Sequence, residues 1–176
     1  ISDTLGNLLF YTDGETIWNN QHQVMKNGTG LNGGKSSTQS ALIVPNPANN
    51  LQYYVFTSPD LTPGIGITAL HYSLVSLEIP NGEVLSKNNF LLDGVSEKLT
   101  GTLDCTNNGF WVVAHHKNSN IFYSFHVTTA GINTVPIVSN YTEGVINHIT
   151  GYIKISPDRS KIALTSQKNF NSGQTL

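Results

Sequence analysis

The apolar positions of this chain come in short runs separated by polar turns, and the same pattern of runs opens three times. Segments starting at Ala41, Lys98 and Gly151 lie 57 and then 53 residues apart. Each begins with an apolar run: Ala41-Leu42-Ile43-Val44-Pro45, Lys98-Leu99-Thr100-Gly101-Thr102-Leu103, and Gly151-Tyr152-Ile153-Lys154-Ile155. Each then turns into a second: Tyr53-Tyr54-Val55-Phe56-Thr57, Phe110-Trp111-Val112-Val113-Ala114, and Lys161-Ile162-Ala163-Leu164-Thr165. No window sustains the i, i+3, i+4, i+7 spacing of an amphipathic helix, and Gly, Asn and β-branched residues interrupt throughout. The pattern predicts an all-β chain. A repeat of roughly 40–60 residues made of short strands is the signature of a β-propeller with four-stranded antiparallel blades, of the WD40 or YVTN kind.

On this reading the chain holds about three and a half blades in a single propeller segment, 1–176. Residues 1–27 form a partial blade: Leu8-Leu9-Phe10-Tyr11-Thr12, an Asp13-Gly14 turn, Thr16-Ile17-Trp18-Asn19 and Gln23-Val24-Met25, with the first strand lacking. Residues 40–90 form a whole blade, with a Pro/Gly-rich excursion from Ser58 to Gly66, a third strand at Leu70 to Leu77, a Pro80-Asn81-Gly82 turn and an outer strand at 83–86. Residues 97–140 form the next, with Ile121 to Val127 as third strand. Pro136 falls on its outer strand, where a missing N–H is tolerated. Residues 150–176 make half a blade, with a Ser156-Pro157-Asp158 turn and a loop-like stretch at 169–173. Closed propellers have at least four blades, so missing blades of a longer parent, or a second copy in a dimer, are expected to complete the ring.

Charge changes the picture by exclusion. Charged residues are 11% of the chain and the formal net charge is −2, against roughly 25% charged in ordinary soluble domains. Nothing here attracts nucleic acid. No apolar run approaches the roughly 20 residues of a membrane span. The single cysteine, Cys105, excludes an intrachain disulfide and any cysteine-cluster metal site. The Asn-, Gly-, Ser- and Thr-rich surface favours a secreted or cell-surface protein.

Over residues 6–47 the stretches Gly-Asn-Leu-Leu-Phe-Tyr-Thr-Asp-Gly, Ile-Trp-Asn, Val-Met-Lys-Asn-Gly-Thr-Gly-Leu and Ser-Ser-Thr-Gln-Ser-Ala-Leu-Ile-Val-Pro-Asn-Pro resemble the propeller-like N-terminal region of large secreted proteins of the Bacteroidetes. Further matches run through Tyr53 to Thr57, His71-Tyr72-Ser73, Glu97 to Thr100, Trp111 to His115 and Gly151 to Asp158. Such proteins often carry PKD modules and a C-terminal domain for type IX secretion or gliding motility. The resemblance implies a β-propeller on a secreted bacterial protein, and it supplies no catalytic residues.

The candidates for chemistry are few. His115-His116 ends a strand; neighbours on a strand point to opposite faces, so the pair reads either as a ligand site at a backbone turn or as one packed and one exposed histidine. His71 and His126 lie on third strands, facing neighbouring blades, without an HxH or HExxH spacing. Trp18, Trp111 and several tyrosines could stack on a sugar, though most should be core, and Trp18, beside Asn19, Asn20 and Gln21, is the best exposed of them. Ligand-binding candidates are therefore Trp18, His71, His115 and His116, with no catalytic or metal residue assigned. Asp13, Asp60, Asp93, Asp104 and Asp158 fit turn geometry; Glu15, Glu97 and Glu143 have no evident partner for a glycosidase pair. Gly33-Gly34-Lys35-Ser36 looks like the end of a P-loop, but Thr29 stands where the motif's first Gly belongs and no helix follows. The serine- and threonine-rich stretch after it reads as a connection whose hydroxyls satisfy backbone groups.

These features point to a non-enzymatic interaction or adhesion scaffold for a protein or glycan partner. The alternative is a carbohydrate-binding or carbohydrate-active propeller working through carboxylates or aromatics at its channel mouth. No cofactor is assigned; a structural Ca²⁺ has no motif to support it.

Overall fold

The computed structural model describes residues 1–61, 68–142 and 144–165. Three sequence expectations lie outside them: most of the Pro/Gly-rich excursion, Glu143 as a carboxylate candidate, and the loop-like stretch at 169–173. Among the described residues there is no helix, and the fold is all-β in several sheets.

The first repeat gives β1 (Phe10–Thr12), β2 (Thr16–Asn19) and β3 (Val24–Thr29), all antiparallel. The turn after β1 closes because the Asp13 carboxylate accepts the N–H groups of Glu15 and Thr16 at 2.9 and 2.8 Å. The sequence reading leaves this group without a first strand. Residues 1–2 occupy that place: Ser2 bridges Leu8, and the Ile1 amino group donates to the Phe10 carbonyl at 2.8 Å.

The second repeat is a four-stranded antiparallel meander: β4 (Ala41–Asn46), β5 (Asn49–Thr57), β6 (Leu70–Ser76) and β7 (Glu83–Leu92). Pro45 is accommodated because β4 is an edge strand. The Gly82 N–H closes a turn on the Ile79 carbonyl with Pro80 and Asn81 at its centre, and Asn81 and Gly82, at φ 69° and 68°, both take the left-handed region before β7. The third repeat repeats the meander with β8 (Val95–Leu103), β9 (Phe110–His116) and β10 (Ile121–Thr128). Its outer strand is split into β11 (Gly131–Ile132) and β12 (Ile137–Asn140), both paired with β10. Pro136 sits in the break rather than on a strand. The last described elements are the hairpin β13 (Ile153–Ile155) and β14 (Ile162–Leu164).

One joint is absent from the sequence reading. β3 pairs in parallel with β7 at Lys26 and Glu83, so residues 1–27 and 40–90 share one seven-stranded sheet instead of being separate. Polar side chains seal this joint. Lys26 meets Glu83 at 2.8 Å, Lys87 donates to the Thr29 carbonyl at 2.7 Å, and the Asn88 carboxamide spans the Asn32 N–H and the Gly30 carbonyl.

Alternation along β5 decides the packing. Val55 faces the first strand group, where it joins Phe10, Ile17, Met25, Val75 and Val84 in one buried cluster. Phe56 faces the third repeat, where it joins Val44, Leu70, Leu99, Val112 and Phe125 in another. The second meander is thus covered on both faces by other strands. β8 lies beside β4 on one side and beside β13 on the other, so the opening strands of successive repeats are neighbours.

Candidate functional site

The connection between β3 and β4, residues 30–40, reaches all three later repeats. Its glycines permit the approach: a Cβ on Gly34 would overlap the backbone of Asp60, and one on Gly33 would overlap Gly14. The following side chains then work outward. Ser37 Oγ lies 2.9 Å from Ser58 Oγ, and Ser58 Oγ donates to the Gln39 carbonyl at 2.6 Å. Thr38 donates to Glu97 Oε2 from both its N–H, at 2.8 Å, and its hydroxyl, at 2.6 Å, while that hydroxyl accepts the Gly151 N–H. Gln39 Oε1 accepts the N–H groups of Leu99, on β8, and Ile153, on β13. The stretch therefore serves as the polar connection that its composition suggests.

Glu97 and Lys98 lie at the centre of this junction, 4% and 0% exposed. The Glu97 N–H donates to the Ile149 carbonyl, and Lys98 Nζ donates to the His148 carbonyl at 2.5 Å. Burial lowers the Lys98 ammonium to about 8, with the Glu97 charge opposing that fall. These two side chains and Thr38–Gln39 clamp the segment entering β13 to the second and third repeats.

The sequence-derived candidates occupy separate places. Trp18 is half-buried on β2, on the face opposite Ile17, with its ring stacked 5.3 Å from Tyr11. The Tyr11 hydroxyl in turn lies 3.3 Å from His22 Nδ1. His71, on β6, is buried, donates from Nδ1 to the Ala69 carbonyl and meets Phe90 edge-on; burial lowers its pKa.

His115 and His116 point to opposite faces of the third repeat's sheet, toward Phe122 and Tyr123 respectively. His116 is half-buried and donates to the Lys117 carbonyl. His115 is fully buried. Its Nε2 must donate to the Ser119 carbonyl at 3.1 Å, so its Nδ1 accepts from Ser96 Oγ at 3.1 Å. Both nitrogens are thereby used in the neutral ring, and burial pushes the pKa down to about 4.

This histidine predicts an acid-sensitive fold. The unfolded ring titrates near 6.5 and the folded ring near 4, so between those values the unfolded chain binds more protons and stability falls as pH drops. The full effect is about 3 kcal/mol. Urea midpoints measured from pH 7 to pH 4.5 are expected to fall more steeply for the native chain than for His115→Gln. Parallel profiles for the two would overturn the assignment.

A grouping not identified from the sequence lies on the outward face of the third repeat's sheet. Trp111 and His126 are cross-strand partners, stacked 4.2 Å apart and 10° from parallel. His126 Nε2 lies 3.1 Å from Asp104 Oδ2. Asp104 is held down at about 2, first by the Thr106 hydroxyl, against the cost of its burial. Arg159, from the β13–β14 turn, donates to the Asp104 carbonyl and to Asn107 Oδ1, both at 2.7 Å. Trp111, Cys105, Asp158 and Arg159 border a groove of about 510 Å³. It adjoins a second groove of about 520 Å³ through the shared residues Val113, Ser124 and Ile162. The register of β9 against β10 was the missing signal, because it alone places Trp111 opposite His126.

Among the described residues no group of three or more His, Cys, Asp or Glu is arranged to hold a metal ion, and no helix is long and apolar enough to cross a membrane. The chain matches no family model, no curated protein and no solved structure.

Proposed function

We propose that this chain is a propeller-like, non-enzymatic interaction scaffold of a secreted or cell-surface bacterial protein. The observation that carries this reading is how the buried ionisable groups are used. Glu97 and Lys98 hydrogen-bond segments of other repeats and so act as fasteners between repeats, while His115 ties β8 to the turn before β10 within its own repeat. Two further features support a propeller: antiparallel meanders in sequence order, packed face to face, and opening strands β4, β8 and β13 as successive neighbours. The low charge and the resemblance over residues 6–47 support the extracellular setting. Propellers host many activities, so the function rests on these residues and not on the architecture.

A second reading is favoured by one observation, the Trp111–His126 stack beside a groove bordered by Asp158 and Arg159. It makes the chain a carbohydrate-binding module at that groove, since sugars stack on aromatic faces and hydrogen-bond to adjacent polar groups.

Glycan-array binding beside a panel of chromogenic glycosides separates these readings from an enzyme. Neither reading expects turnover. Glycan binding lost in Trp111→Ala would select the second. Hydrolysis of any glycoside, abolished in Glu97→Gln, would overturn both.

A further inference from the structure

We propose that a groove at the foot of the first strand group binds the acetamido group of an N-acetylated amino sugar. This goes beyond the scaffold reading and uses none of the residues that border the Trp111 groove.

The groove, of about 240 Å³, lies where the turn after β2 meets the turn before β7. The residues bordering it come from 9–25 and 77–82, stretches that the structure describes throughout. Its floor is aliphatic. Met25 is 2% exposed, and Leu9 and Leu77 pack beside it against the first buried cluster. Gly82 lets this floor close up, since a Cβ there would lie 2.9 Å from Met25 Cε and 3.0 Å from Leu77 Cδ2.

One buried polar atom points to a ligand. Asn19 is 2% exposed and lies on the face of β2 that Ile17 turns to the interior. Its Oδ1 accepts the N–H groups of Gln21 and Gln23 at 2.9 and 3.0 Å. Both partners can only donate, which fixes the orientation of the carboxamide. Nδ2 is thus the other end of a side chain that borders the groove, and among the described residues it has no acceptor. A buried donor of this kind gains from any acceptor that reaches it.

The lining selects the acceptor. Among the described residues none that borders the groove is charged, so a carboxylate or phosphate would be desolvated there without a counter-charge. The acceptor oxygen is therefore uncharged, and Met25 and Leu77 call for a small apolar group beside it. An acetamido carbonyl and its methyl supply both. Asn20 and Asn81, exposed at the rim, offer carboxamides to the hydroxyls of a sugar ring. The groove is smaller than the roughly 300–1,000 Å³ of pockets for drug-sized ligands, so the acetamido group enters and the ring stays at the rim. No aromatic residue borders it among those described, so the acetyl group carries the recognition and not the face of the ring.

Nitrogen–proton correlation spectra of the labelled chain, titrated with N-acetylglucosamine, test this, with glucose and N-methylacetamide as further arms. The expected result is a saturable shift of the Asn19 side-chain amide and of the Leu77 and Gly82 backbone amides, with a Kd on the order of 1–10 mM. Glucose is expected to bind at least tenfold more weakly, and N-methylacetamide to move the same signals at higher concentration. Asn19→Asp keeps an oxygen for the Gln21 and Gln23 N–H groups but removes the donor, and is expected to weaken binding at least tenfold. Should that variant fail to fold, Ile79→Trp, at a 39% exposed position bordering the groove, is expected to block binding while the chain still unfolds cooperatively. The proposal is overturned by the absence of a saturable shift, by shifts confined to the Trp111 groove, or by unchanged affinity in a folded Asn19→Asp or Ile79→Trp chain. Glucose binding as tightly as N-acetylglucosamine overturns the acetamido group, and N-methylacetamide binding as tightly overturns the sugar. None of these outcomes bears on the scaffold reading, which is tested by glycoside turnover.

Discussion

Glu97→Ala is expected to destabilise the chain by about 3–5 kcal/mol, the cost of breaking a buried charged contact from one side. The carboxylate accepts two hydrogen bonds from Thr38 and a longer one from the Leu61 N–H, and it opposes the burial penalty on Lys98. Alanine leaves the Thr38 N–H and hydroxyl without their acceptor and the Lys98 ammonium without a counter-charge. With a urea slope of about 1–3 kcal/mol/M, the midpoint should fall by more than 1 M at pH 7. Glu97→Gln keeps an acceptor oxygen for Thr38 and should lose less, about 1–2 kcal/mol. Adding Lys98→Met to Glu97→Ala should recover part of the loss, since the second change removes the stranded charge; a double-mutant cycle measures that coupling. A loss below 1 kcal/mol for Glu97→Ala, or no recovery in the double variant, would refute the fastening role.

The strands were legible in the sequence because their apolar alternation is local. Tyr53 to Thr57 and Ile121 to Val127 fall inside β5 and β10. The turns were legible for the same reason: Asp13 and Asn81-Gly82 carry chemistry that acts within four residues. Strand ends were less so. β7 runs on to Leu92 through Lys87, Asn88 and Asn89, a polar stretch that reads as loop, because Lys87 and Asn88 find their partners in the Thr29 and Gly30 carbonyls and the Asn32 N–H. The parallel joint of β3 with β7 was hidden likewise, since its ion pair links residues 57 apart. Among the site residues, the use of Thr38 as a polar connector was readable from the hydroxyl-rich composition. Its partner Glu97 was not, because a lone glutamate before an apolar run gives no sign of burial. The histidine pair illustrates the boundary: opposed directions follow from strand geometry, whereas full burial of His115 depends on Ser96 and Ser119, brought in by the fold.

Phe56→Ala is expected to cost about 3–5 kcal/mol, the usual loss for emptying a fully buried phenylalanine site, and the two tryptophans will show how far that loss spreads. Phe56 is 0% exposed and lies between the second meander and the third repeat. Trp18 sits in the first strand group, on the far side of the second meander, and Trp111 sits on the third repeat's sheet. The chain has only these two tryptophans, so Trp111→Phe leaves a probe of the first group and Trp18→Phe a probe of the third repeat's sheet. If the sheets unfold as one unit, Phe56→Ala will lower the urea midpoint equally by both probes. If each sheet face is an independent unit, the Trp111 probe will shift and the Trp18 probe will not. Val55→Ala tests the opposite face, with an expected loss of about 1–3 kcal/mol. A cooperative stack again predicts equal shifts, whereas independent units predict a shift at Trp18 alone. Equal shifts in both variants are expected, because Thr38, Gln39 and Glu97 tie the second repeat, β8 and the strand entering β13 into one polar junction, and the parallel joint at Lys26 and Glu83 adds the first group to the same sheet. Unequal shifts would mean that these polar ties position the sheets without coupling their stability.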